Sequence, residues 1–181
     1  MKPSNSKIIV SVNQEQKDSF AIGGIEMSGA MLFEVNYRFK SPVTATIIEG
    51  NEYLKEGDTI ITHHNNFYLP SPFHLQDDIF SIPVGKTIFA KLLTTGELQP
   101  MYGNMFCERI TIPTYLPLPP EQQKKYLNRV KIIDKGWTSY INGQIALHRP
   151  SAAYDIVYKY NGELKIITKI DSEQICGIVL D

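Results

Sequence analysis

The chain has 181 residues, 43% of them hydrophobic and 20% charged, with 18 basic against 19 acidic side chains and a formal charge of −1. That composition is apolar enough to build a core and too apolar for a disordered chain. The balanced charge lacks the clustered basic excess of a nucleic-acid footprint, so nucleic acid is not an expected partner. No apolar run reaches the ~20 residues of a membrane span, and Met1-Lys2-Pro3-Ser4-Asn5-Ser6 lacks the apolar centre of a signal peptide. A cytoplasmic location without a membrane partner is the expectation. Cys107 and Cys176 both fall in expected strands, where a free thiol behaves as a small buried hydrophobe. A disulfide would require those two strands to be neighbours.

In chain order, residues 7–12 place Ile8, Val10 and Val12 on one face, the period of a half-buried strand. Polar residues 13–19 end it. Residues 20–30 (FAIGGIEMSGA) hold three glycines in seven residues and present their apolar side chains on a pliable loop. Ile25 and Met27 there either tuck back onto the domain or bind a partner. Phe33, Val35, Tyr37 and Phe39 alternate with Glu34, Asn36 and Arg38 as a strand, and Pro42 marks a break. Residues 44–49 are a strand, 50–58 a charged connection ending in the turn signal Glu56-Gly57-Asp58, and 59–62 a further strand. A loop follows from His63 to Pro72, and residues 79–92 (IFSIPVGKTIFAKL) read as strand, polar turn, strand.

Residues 94–100 (TTGELQP) are polar and carry both Gly and Pro, which sets a boundary between domains 1–95 and 96–181. The second half opens with a strand at 105–110. Pro113, Pro117, Pro119 and Pro120 precede residues 121–129, which read as one short helix turning Tyr126, Leu127 and Val130 inward. Strands follow at 130–133, 144–148 and 156–160, and Asn161-Gly162 is a strong hairpin signal.

The closing residues 166–179 (IITKIDSEQICGIV) match 79–92 without a gap at a register of 87 (166 minus 79). Ile8-Ile9-Val10-Ser11-Val12 likewise answers to the strand opening at Met105, and Ala45-Thr46-Ile47-Ile48-Glu49-Gly50 to the stretch from Val130 to Gly136. A half-length repeat of this kind predicts two similar units. The fold class is therefore all-β, two small barrels or sandwiches in tandem with one short helix in the second.

These elements resemble the GroES co-chaperonin family. The likeness rests on the first strand, the Gly23-Gly24-Ile25-Glu26-Met27-Ser28-Gly29 loop, a strand ending in Gly50, the turn Lys55-Glu56-Gly57-Asp58 into Thr59-Ile60-Ile61, and the closing Asp171-Ser172-Glu173-Gln174-Ile175-Cys176-Gly177-Ile178-Val179. The closing motif is nearest in the second half, and the loop motif exists only in the first. The resemblance implies two tandem GroES-like barrels, as in the double co-chaperonins of chloroplasts, and assembly through barrel edges into a homo-oligomeric ring. It also implies a chaperonin contact at Gly23, Gly24, Ile25, Glu26 and Met27, with Ile25 and Met27 as anchors. Glu26 stands where the family has an aliphatic residue. The connection from Gly50 to Gly57 is too short for the family's roof hairpin, so such a ring would be open at its top.

The expected function is thus that of a non-enzymatic co-chaperonin-like subunit. The alternative is a viral structural protein, a capsid decoration or stabilising subunit located in the virion. No catalytic residue, metal or cofactor is expected: adjacent His63 and His64 point to opposite faces of a strand, and no metal-ligand spacing, nucleophile elbow or dinucleotide fingerprint occurs.

Overall fold

The computed structural model describes residues 7–12, 20–22, 25–27, 42–67, 72–110, 128–150 and 152–179. The protein is all-β, and the chain divides into two compact units, Met1–Gln99 and Pro100–Asp181. The first unit holds β1 (Lys7–Val12), β2 (Phe20–Ile22), β3 (Ile25–Met27), β4 (Pro42–Glu49), β5 (Thr59–His63), β6 (His74–Gln76), β7 (Ile79–Pro83), β8 (Ile88–Leu92) and β9 (Leu98–Pro100). The second contributes β10 (Asn104–Arg109), β11 (Arg129–Asp134), β12 (Ile145–His148), β13 (Tyr154–Tyr160), β14 (Glu163–Asp171) and β15 (Ile175–Ile178).

One sheet runs β6-β7-β1-β4-β5-β8-β9 and the other β13-β14-β10-β11-β12-β15. Apart from β9, the two orders are the same when β1, β4, β5, β6, β7 and β8 are matched to β10, β11, β12, β13, β14 and β15. The first strand of each unit is central in its sheet because its neighbours on both sides bury it. Ile8 and Val10 are fully enclosed in β1, as Met105 and Cys107 are in β10. Around the second of these strands, Val130, Ile132, Ala146 and Ile170 complete a core to which Tyr140, Ile175 and Ile178 add their sides.

The correspondence extends to irregularities. β4 bulges against β1 so that Ile48 is skipped between the pairs Ile9↔Glu49 and Val10↔Ile47. β11 bulges against β10 so that Ile133 is skipped between Phe106↔Asp134 and Cys107↔Ile132. A second bulge falls between Ile61 and Thr62, facing β8, and again between Leu147 and His148, facing β15. The turns entering β5 and β12 also agree: the Gly57 N–H donates to the Ile47 carbonyl, and the Gly143 N–H to that of Ile132. Both glycines sit at positive φ, where a side chain would be strained. In the first unit this turn is fastened to β8, since the Asp58 carboxylate accepts from the Lys55 backbone N–H and from Lys91 Nζ, each at 2.7 Å.

Three expectations change. The match of β7 with β14 is offset by 88, not 87: Ile8 pairs with Ile82 and Met105 with Ile170 (170 minus 82). The connection to the last strand is one residue shorter in the second unit, so β8 and β15 do keep 87 (175 minus 88). Second, both sheets are open among the described residues, with no ladder joining first strand to last, so the barrels expected from the sequence are not closed. Third, Leu98–Pro100, within the polar run read as a boundary, is a strand. Leu93 N–H donates to the Glu97 carbonyl and Gly96 N–H to that of Leu93, turning the chain back beside β8. The strand expected at 33–39 lies outside the described residues. So does the expected helix, except that Asn128 takes positive φ and Arg129 opens β11.

At Gly50 an added Cβ would lie 1.8 Å from the Leu54 carbonyl oxygen, in a turn that seats the fully buried Leu54. Gly50→Ala is therefore expected to lower unfolding stability by about 2–3 kcal/mol in a urea titration. Gly177→Ala, whose Cβ would meet nothing within 4 Å, is expected to change it by less than ~0.5 kcal/mol.

Candidate functional site

Between β1 and β4 the first unit makes an excursion that the second does not share in sequence. Its described part is a two-stranded sheet of β2 and β3, paired Phe20↔Met27, Ala21↔Glu26 and Ile22↔Ile25. Neither strand is hydrogen-bonded into the larger sheets. The pairing of Ile22 with Ile25 leaves two residues between them, the spacing of the tightest β-hairpin, for which Gly-Gly is a favoured sequence. Gly23 and Gly24 themselves lie outside the described residues.

The segment expected as a pliable loop is thus a hairpin ladder at its described positions. Alternation puts Phe20, Ile22, Ile25 and Met27 on one face of that ladder and Ala21 with Glu26 on the other. Phe20 and Ile22 were not among the expected contact residues. Their signal is the symmetry of Phe20-x-Ile22-Gly-Gly-Ile25-x-Met27 about its glycine pair.

Three histidines among the described residues make contacts within their units. The His63 ring meets Phe89 edge-on at 5.9 Å, and the His74 ring tilts on Phe80 at 5.0 Å with Nε2 3.0 Å from the Asp77 carbonyl. His148 is buried, its Nδ1 2.7 Å from the Arg149 carbonyl. Among the described residues no three His, Cys, Asp or Glu side chains gather as a metal site. No helix among them is long and apolar enough to cross a membrane.

The two cysteines behave differently from one another. Cys107 is buried in the second core, and burial pushes its thiol up to about 12 from an ordinary 9.0. Cys176, expected to be buried, is exposed; it is the residue skipped at the bulge between the pairs Leu147↔Gly177 and His148↔Ile175, on the last strand of its sheet. β10 and β15 are not adjacent, and both thiols are free.

Comparison with protein families, with characterised proteins and with solved structures returns no match to this chain.

At about pH 8 an alkylating reagent is expected to modify Cys176 and spare Cys107 until denaturant is added, as peptide mass spectrometry would report. The pH dependence has a definite sign. The unfolded chain ionises Cys107 near 9 and the folded one near 12, so the thiol's contribution is whole below about pH 9 and is lost as pH rises toward 12. Unfolding midpoints of the protein and of Cys107→Ala should hold a constant difference below that pH and converge or cross above it.

Proposed function

We propose that the chain is a non-enzymatic, co-chaperonin-like subunit that grips a chaperonin-type partner through the hairpin of β2 and β3. The observation carrying this reading is the division of that hairpin into faces. In the register Phe20, Ile22, Ile25 and Met27 take one set of alternating positions, and Ala21 with Glu26 takes the other.

An apolar groove would exact a large desolvation penalty from a carboxylate inserted without a partner. With Glu26 on the opposite face, Phe20, Ile22, Ile25 and Met27 can enter such a groove while the carboxylate stays in water. A short hairpin that is marginal alone gains its remaining order on contact, which keeps the complex reversible. The order of motifs that resembles GroES supports the same partner class. So do the contacts of His63, His74 and His148 and the burial of Cys107, which leave these side chains engaged in structure.

Co-elution with a purified chaperonin and suppression of its ATPase test the reading. Ile25→Asp is expected to weaken both by about 10- to 100-fold, the worth of one buried aliphatic side chain, while Glu26→Ala preserves them. Wild-type protein that neither co-elutes nor alters turnover overturns the assignment, as does its recovery in fixed copy number from a purified viral particle.

A further inference from the structure

We infer that the outer edge of β13 is a self-pairing interface, at which a second copy of this chain adds its own β13 in antiparallel register centred on Val157. The starting point is a difference between otherwise matching hairpins. In the first unit β6 has three residues, preceded by Pro72, and closes on β7 within two pairs. In the second, β13 has seven residues and pairs with β14 over seven positions, from Tyr154↔Lys169 to Tyr160↔Glu163.

β10 meets β14 only from Thr168 to Asp171. The rungs Ile156↔Ile167, Val157↔Ile166, Tyr158↔Lys165, Lys159↔Leu164 and Tyr160↔Glu163 therefore run on as a two-stranded ribbon. Ribbons of two strands are marginal in water and become stable with a third. β13 is the last strand of its sheet, and no described strand lies beyond it. It also contains no proline, glycine or bulge of the kind that blunts edges, whereas β6 is short and preceded by proline.

The sequence of β13 names the occupant. YDIVYKY is complementary to itself when reversed about its centre. A two-fold axis at Val157 sets Asp155 opposite Lys159 of the second copy, Tyr154 opposite Tyr160, and Val157 opposite itself. Opposite charges across an antiparallel pair favour that register, and a shift of one residue in either strand loses both charge pairs. The same axis places Ile166, 65% exposed, in one row with Val157 and the two equivalent residues of the second copy. An isoleucine left that open on a ribbon is accounted for by continuation of its row across the joint.

The register gives a covalent test on the full chain. In a Cys176→Ser background, Val157→Cys should form a disulfide dimer under mild oxidation, because residues paired directly across the axis approach closely enough. Asp155→Cys should not, since the two copies of position 155 lie four residues apart along the strands, on the order of 13 Å.

A charge exchange supplies an independent arm. Lys159→Asp should remove the dimer, halving the mass seen by sedimentation, and Asp155→Lys with Lys159→Asp should restore it. Far-UV circular dichroism unchanged from wild type certifies the fold of each variant. If Val157→Cys does not fold, the charge exchange decides. A wild-type chain that sediments as a monomer up to its solubility limit overturns the inference. So does cross-linking at position 155 equal to that at 157. Ile25→Asp leaves this interface untouched, so it and the hairpin's partner fail or survive separately.

Discussion

Everything regular in this protein depends on one strand in each sheet being flanked on both sides and turning buried side chains into the core. In β1 the residues Ile8 and Val10 are enclosed, flanked by β7 and β4; in β10 the residues Met105 and Cys107 are enclosed between β14 and β11. Full burial of such side chains is worth about 1.5–3 kcal/mol apiece, so a pair on each central strand outweighs any surface ion pair in the chain. Central placement also dictates the bulges. β4 and β11 each slip one residue against the central strand, which keeps Ile47 and Ile132 in the core while the next isoleucine, Ile48 or Ile133, turns outward to 40% and 51% exposure. A bulge that recurs at the same rung of two diverged sequences is a requirement of the fold rather than a local accident.

The sequence was legible where side-chain alternation and turn chemistry act together. The alternation of β1 is carried by Ile8, Val10 and Val12, all buried. Asn161 and Gly162 both take positive φ between Tyr160 and Glu163, the hairpin their residue types require. It was illegible where a short element leaves no period to read. β6 and β9 have three residues each, and β9 is built from Leu98-Gln99-Pro100, in which proline argues for a break. Proline is admitted there, as at Pro42 opening β4, because both positions lie at the end of a strand.

The error in matching β7 to β14 has a different origin. At an offset of 87 Ile79 and Phe80 align with Ile166 and Ile167, and at 88 Ile79 and Ile82 align with Ile167 and Ile170, so two registers score alike by eye. The pleat decides between them, because a shift of one residue exchanges the faces. Ile82 and Ile170 are both buried against the central strand, and only the offset of 88 puts them in register. The hairpin of β2 and β3 was half legible for a related reason. Its glycines drew attention to Ile25 and Met27, whereas Phe20 and Ile22 acquire meaning only once the ladder pairs them.

With the sheets so closely matched, the properties that set the two units apart must lie in what differs between them. The matched strands are committed to burial, and a change there is felt as lost stability in whichever unit carries it. The unmatched parts among the described residues are β9 and the hairpin of β2 and β3 in the first unit and the added rungs of β13 and β14 in the second. The β2-β3 hairpin and the added rungs are both two-stranded, and in the second the apolar Ile166 is 65% exposed. Such ribbons are the least stable pieces of a β protein by themselves, since each has only one ladder to hold it. That weakness is tolerable because the central strands make the scaffold indifferent to it, and it is useful because a third strand or a groove can supply what the ribbon lacks. A fold with its stability concentrated around two central strands can therefore vary its ribbons, because a change in either is confined to the single ladder that holds it.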